Sequence, residues 1–321
     1  MLSKAMIFDV CIPVYKPDEK LDALLKGMLS QVQRPRHILL MITDDGSDVI
    51  ESMAEGFRGL DERIKTHIIK KSEYDHAGTR NIAVSMCEEG AECFLLMTQD
   101  AVPSDNHLTE RLIECFADEK VAVAYARQLA GKHAAVPEKC ARRFNYPAKS
   151  QKKGMEDLQS LGIKTFFCSN VCAMYRKSIF EKLGGFEAPA IFNEDMVYAS
   201  LAVRNGYYIY YAANARVLHA HRYSLKMQFI RSFDNGVSHA MRLKAFEGAK
   251  ASSEGSKYVK ETIKVLRRVG QTNKIPYFIL QSAFRYLGFA LGKNFKILPK
   301  SVRKLFSLNK TFWDVHTRQR A

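Results

Sequence analysis

Within the first hundred residues, four short apolar runs are separated by three segments of helical periodicity, and that alternation restricts the fold more than any other feature. Residues 7–15 are rich in branched side chains and stop at Lys16-Pro17. Residues 38–43, 64–70 and 93–97 repeat the pattern. Between them, residues 18–31 place Leu21, Leu24, Leu25, Met28 and Leu29 at helical spacing, residues 48–60 form a weaker helix, and residues 77–88 a third. Strands joined by helices of this length predict a parallel sheet covered on both faces. Such sheets bind ligands at the carboxyl ends of their strands. The polar residues falling there are Tyr15, Asp44, Asp45, Lys70, Thr98, Gln99 and Asp100.

Beyond a helix at 105–117 and a strand at 121–125, residues 127–164 are polar and irregular, a length uncommon unless the segment is functional or contains short helices. One or two buried strands are expected over 166–175, then a helix ending at Gly184-Gly185 and another over 195–204. Residues 206–218 read as a strand pair broken at Ala213-Asn214. From Ser224 onward the pattern is helical, in segments at 224–247, 254–269, 275–292 and 299–307.

The chain carries 49 Lys and Arg against 34 Asp and Glu, a net charge of +15. Residues 222–321 hold 21 of these bases and only 5 of the acids, whereas residues 1–221 hold 28 and 29. A near-neutral sheet region is therefore followed by a basic tail suited to an anionic partner, a nucleic acid or a membrane surface. The stacking aromatics and zinc or RNA-binding signatures of nucleic-acid readers do not occur. Seven cysteines at irregular spacing without C-x-x-C favour reduced thiols in a cytoplasmic protein. Asp9 interrupts the N-terminal apolar stretch, which reads as a strand rather than a signal peptide.

Five constellations can carry chemistry. Asp44-Asp45-Gly46-Ser47 ends a strand, where a carboxylate can accept the imide N–H of a pyrimidine, although the same residues also make a plain turn. Thr98-Gln99-Asp100 ends the most apolar strand, and an acid there suits a divalent cation shared with phosphates. His76–Asn81 opens a helix whose N–H groups, with Arg80, suit phosphate. Asn193-Glu194-Asp195 precedes a helix and offers a general base or a helix cap. His219 and His221 alternate onto one strand face, as a metal or phosphate site requires.

In this order, with Gly184-Gly185-Phe186 before Asn193, these motifs resemble the family-2 glycosyltransferases over residues 7–222. Thr98-Gln99-Asp100-Ala101-Val102-Pro103 in place of an Asp-x-Asp, together with Leu287-Gly288, Leu291-Gly292-Lys293 and Leu298-Pro299 in the tail, is similar to the bacterial rhamnosyltransferase branch. The resemblance implies a GT-A fold: an α/β, Rossmann-like, mainly parallel sheet between helices, with an all-helical C-terminal extension. It implies a catalytic domain over 1–222, its nucleotide-sugar half at about 1–125 and its acceptor half at about 126–222. Residues 223–321 would then associate with a membrane or dimerise.

By the same resemblance, Pro13, Tyr15, Asp44 and Asp45 bind the base, and Arg80 and Asn81 lie near the diphosphate or ribose. Asp100 ligates Mg²⁺ or Mn²⁺ beside Gln99, and His219 or His221 completes the site. Asp195 is the catalytic base, oriented by Glu194. The implied reaction transfers L-rhamnose, with inversion, from dTDP-L-rhamnose to a saccharide acceptor carried on lipid at the inner face of the cell membrane. UDP-galactose, UDP-N-acetylglucosamine and UDP-galactofuranose are the alternative donors, and no nucleic-acid partner is expected.

Overall fold

The computed structural model describes residues 6–221, 223–249 and 254–318. Arg222, where the sequence divides the chain, lies outside the described residues, as does the start of the N-terminal segment. The four apolar runs form β1 (Phe8–Val14), β2 (Ile38–Asp44), β3 (Ile64–Lys70) and β4 (Cys93–Met97), joined by α1 (Glu19–Leu29), α2 (Ile50–Arg58) and α3 (His76–Ser85). Successive side chains of a strand point to opposite faces. Phe8, Val10, Ile12 and Val14 accordingly join Leu21, Leu24, Leu25 and Met28 of α1 in one core. Cys11, Phe94 and Leu96 face the other core, with Ala77, Ala83 and Val84 of α3. Asp9, fully buried in β1, accepts hydrogen bonds from Arg36 Nη2 at 2.8 Å and from the His37 N–H at 3.1 Å.

β5 (Val102–Pro103), α4 (Leu108–Ile113), β6 (Val121–Leu129), α5 (Val136–Asn145), β7 (Gln151–Lys153) and α6 (Leu158–Leu161) lead to β8 (Cys172–Arg176), α7 (Lys177–Lys182), α8 (Glu194–Arg204) and β9 (Tyr208–Leu218). The strands make one nine-stranded sheet, ordered β3-β2-β1-β4-β8-β6-β9-β5, with β7 also beside β9. β1 to β4 are parallel, β8 runs antiparallel between β4 and β6, and β9 is parallel to β6. The carboxyl ends of β1, β2, β4, β6 and β9 and the entrance to β8 therefore share one edge. The expected mainly parallel sheet between helices is the observed architecture.

Two expectations need correction. β9 is a single strand and not a pair: its pairing with β6 jumps from Ala212–Ala126 to Arg216–Arg127, so Ala213-Asn214 lies in a bulge. The bulge falls where β9 changes partner on its other edge, from β7 to β5. Residues 166–171 are not strand, because their backbone is held elsewhere: buried Lys153 donates from Nζ to the carbonyls of Phe167 at 2.6 Å and Lys164 at 2.9 Å. The segment 127–164 does contain short helices, and one of them, α5, buries no residue and has as its main partner a helix more than a hundred residues later.

That partner is α10 (Glu254–Arg268), which follows α9 (Leu225–Met241) and precedes α11 (Ile275–Lys293), α12 (Lys300–Leu305) and α13 (Lys310–Arg318). α9 is fastened to the sheet region by Ser238 Oγ donating to the Phe192 carbonyl at 2.6 Å. α11 lies against α9 so closely that added Cβ atoms would collide with carbonyl oxygens: Gly236 with Phe289, Gly288 with Phe229, and Gly292 with Phe233. Phe233, Val237, Phe295, Phe312, Trp313 and Ile191 form a third core beneath this crossing. Gly292→Val should force the helices apart and destabilise the fold by roughly 1–3 kcal/mol, the usual cost of overpacking. Thermal denaturation checks this; an unchanged midpoint would mean that the crossing is not tight.

Candidate active site

The start of α8 decides the electrostatics of the edge. Asn193 takes a left-handed conformation (φ 60°), which an asparagine tolerates, and so turns the chain into the helix with Glu194 and Asp195 both directed inward. Asn170, at the entrance to β8, holds the two acids together. Its N–H donates to Asp195 Oδ2 and its Nδ2 to Glu194 Oε1, both at 3.0 Å, while Tyr175 Oη donates to its Oδ1 at 2.6 Å. Arg80 Nη1 lies 3.3 Å from Glu194 Oε1, with both side chains 7% exposed.

Burial opposes the charge on Glu194, yet Arg80, His76 and Asn170 outweigh it and hold its carboxyl below the usual range. Asp195 forms no ion pair among the described residues, although Arg80 still lowers its carboxyl somewhat. Burial first, and then the neighbouring Glu194 charge, push its carboxyl up to about 7. A carboxylate poised there can take a proton near neutral pH.

Across the edge, Asp100 follows β4 and His219 and His221 follow β9. Their ligand atoms all lie within 4.8 Å of one another. His221 Nε2 is 3.0 Å from Asp100 Oδ2 and 2.7 Å from His219 Nε2, and His219 Nε2 is 3.4 Å from Asp100 Oδ1. His219 Nδ1 sits 2.9 Å from Gln128 Oε1, so its proton belongs on Nδ1 and the Nε2 lone pair faces the acid. Burial lowers His219 to about 4, which keeps that lone pair free. A carboxylate oxygen and two imidazole nitrogens, one fixed by an outer amide, are a donor set that suits a divalent cation.

The remaining sequence candidates divide. Gln99 clamps the backbone of Tyr15, accepting from its N–H at 2.8 Å and donating to its carbonyl at 2.9 Å, and so ties the ends of β1 and β4. Asp44 and Asp45 accept from the N–H groups of Gly46 and Ser47, at 2.7 and 3.2 Å, one residue beyond Thr43. Asn81 lies apart: its amide is paired at both ends with the backbone of Phe186, at 2.8 and 3.0 Å. A cavity of about 550 Å³ is lined by Pro13, Tyr15, Arg80, Gln99, Asp100, Glu194, Asp195, His219 and His221, and by Thr43 but not by Asp44, Asp45 or Asn81. It also contains Asn170, Tyr223 and Arg231. Gln128, Asn170 and Arg231 carry no sequence signal, since the contacts that bring them to the site, with His219, Glu194 and Phe192, span 24 or more residues.

The glycosyl transferase family 2 model matches residues 9–184. The chain belongs to glycosyl transferase family 2. It is 35% identical over 313 residues to the O-antigen chain rhamnosyltransferase RfbN of Salmonella typhimurium, and 34% identical over 311 residues to WbaN of Salmonella anatum; each match covers 96% of both chains. Among solved structures it resembles mannosyltransferase PcManGT from Pyrobaculum calidifontis, which holds GDP-Man and Mn²⁺, with TM-score 0.62, 13% identity and 89% and 86% of the two chains covered. TarS of S. aureus matches with TM-score 0.54, 14% identity and 98% and 92% coverage. The fold is GT-A, and the chain is a glycosyltransferase.

If Asp100, His219 and His221 act as one ligand set, Asp100→Ala and His219→Ala should each weaken Mn²⁺ binding by about tenfold or more, the scale reported for losing metal-site groups. Titration calorimetry on the protein saturated with nucleoside diphosphate measures it; unaltered affinity in both variants would remove the site.

Proposed function

We propose that this enzyme transfers L-rhamnose from dTDP-L-rhamnose, with inversion, to a saccharide acceptor carried on lipid during cell-surface polysaccharide synthesis. The observation that carries the reading is the half-buried Asp195 carboxyl, held near neutrality in the cavity that the Asp100, His219 and His221 atoms also face. The choice of sugar is supported by the two rhamnosyltransferases matched along 96% of the chain.

In this reading the donor lies along the strand edge, its base between Pro13, Tyr15 and the Asp44-Asp45 turn. Mg²⁺ or Mn²⁺ held by Asp100, His219 and His221 would supply positive charge to the diphosphate as it leaves. Asp195 takes the proton of the acceptor hydroxyl as that oxygen attacks C1 from the face opposite the nucleotide. Glu194, fixed by Arg80 and Asn170, keeps the Asp195 carboxyl basic and orients it.

Purified protein offered dTDP-L-rhamnose and the three UDP-sugars should consume only the first; turnover of a UDP-sugar in its place would overturn the donor. Asp195→Asn should abolish transfer yet leave dTDP affinity nearly intact. Because the folded Asp195 value exceeds that of the unfolded chain, ionising it opposes folding as pH rises toward 7. The Asn variant should therefore melt no lower than wild type at about pH 8. The acidic limb of kcat/KM should sit near the Asp195 value and move to lower pH in Glu194→Gln, which removes the repelling charge. A limb that stays in place would dissociate Asp195 from the base role.

We also read the outer face of α11 as a peripheral membrane contact. Among the described residues, no helix is long and apolar enough to cross a membrane. Ile279, Leu280, Tyr286 and Leu287 nevertheless stand 44–72% exposed on the side turned from α9, in the basic part of the chain. Aromatic and aliphatic side chains among Lys and Arg suit an anionic interface. The full chain should float with phosphatidylglycerol vesicles, and Leu280→Glu with Leu287→Glu should release it. Unchanged flotation would exclude the face, and loss of a dimer instead would assign it to a second copy.

A further inference from the structure

A second cavity, of about 770 Å³, opens beside the first and shares His221, Tyr223 and Arg231 with it. Its walls are α5, α9 and the first half of α11, so the C-terminal helices complete it. Four cations line it, Arg142, Arg231, Lys274 and Arg285, against one acid, Glu138, which accepts from the His221 N–H at 3.0 Å.

The state of these cations separates them. Arg142 donates to Gln128 Oε1 and so supports His219. Arg231 has its guanidinium 5.4 Å from the centre of the Phe192 ring and 4.9 Å from that of Tyr223, and among the described residues it forms no hydrogen bond or ion pair. The rings fix its position and leave its N–H donors free. Arg285 donates through Nε to Gln228 Oε1 at 2.6 Å, which orients the fork and leaves its terminal nitrogens available. Lys274 is exposed at the start of α11 and, among the described residues, pairs with no acid. Positioned guanidinium groups without carboxylates match the oxygens of phosphate. Tyr277, 53% exposed, supplies a ring face of the kind that packs against saccharides, whereas the Tyr223 ring is taken up by Arg231 and by the stacked His221.

Resting on the reading of the first cavity as the site of transfer, we propose that the second cavity is the acceptor site and that it selects a saccharide bearing a phosphate or diphosphate. Lys274 and Arg285 hold the phosphate oxygens, and Arg231, at the junction, meets the end of the acceptor nearest Asp195. A charged group held this far along the acceptor sets which sugar hydroxyl reaches the base. The basic tail then contributes to recognition of substrate as well as to any surface contact.

The test uses the full chain with geranyl diphosphate as probe, in calorimetry with the donor site filled by saturating dTDP. Wild type should bind geranyl diphosphate, and geraniol at least about tenfold more weakly, the size expected for losing charged hydrogen bonds. Lys274→Ala with Arg285→Ala should remove that preference while leaving dTDP affinity unchanged. Lys274→Glu alone, an exposed change that the fold tolerates, should weaken the probe in the same direction. Equal binding of geranyl diphosphate and geraniol, or equal losses for dTDP and the probe in the variants, would overturn the proposal. If dTDP fails to bind while geranyl diphosphate still requires Lys274 and Arg285, the donor assignment falls and the acceptor site stands.

Discussion

At the start of α8 a buried carboxylate, Glu194, adjoins a half-buried one, Asp195, and one guanidinium pairs with the first alone. That imbalance organises the edge of the sheet. Arg80 pairs with Glu194, and the charge it neutralises is the one that would otherwise be hardest to bury. Asp195, left to backbone N–H donors and facing the Glu194 charge, stays near neutrality in its proton affinity. Removing one member of a buried ion pair typically costs roughly 3–5 kcal/mol, so Arg80 and Glu194 are fixed as a unit. Asn170 and Tyr175 then belong to the same arrangement, since Asn170 spreads hydrogen bonds over both acids and Tyr175 holds Asn170. Function and stability pull in opposite directions here: a fully neutralised pair would fold more easily and make a poor base.

The polar edge was legible in the sequence wherever it rides on the parallel strands. β1, β2 and β4 are apolar on both faces because both faces are covered, so their ends are sharply marked by Tyr15, Asp44 and Asp100. The pair His219 and His221 was expected on one face of a strand; both instead follow β9, which ends at Leu218, and still meet at the same site. What was not legible comes from the antiparallel insertion of β8 between β4 and β6. That crossing brings Asn170 to the acids and sets Gln128 behind His219, and no local pattern records it. Gln99 shows the same limit: beside a metal position by sequence, it works in the structure as a backbone clamp on Tyr15. Asn81, in the same helical motif as Arg80, faces the turn at Phe186, because successive helical positions point in different directions.

The tail was legible as helices and as charge, but its geometry rests on glycine. Gly236, Gly288 and Gly292 let the α9 and α11 backbones approach to contact, a closeness that composition does not announce. Once α11 is held there, one side of it closes the second cavity with Lys274, Phe278 and Arg285, and the opposite side presents Ile279, Leu280, Tyr286 and Leu287 outward. Packing on the sheet region and offering an apolar face are therefore properties of two sides of one helix.

This also bears on the net charge of +15. Charge spread over solvated helix faces is screened within about a Debye length, roughly 8–10 Å at ordinary salt, and fixes nothing in place. Arg231 differs from that background because aromatic rings hold it and no carboxylate among the described residues neutralises it. Desolvating a cation without a counterion is unfavourable by itself. Held this way between two cavities, the first of which contains the acids of the active site, it gives a reason for phosphate to enter from the side of the tail, and for the tail to be part of the enzyme.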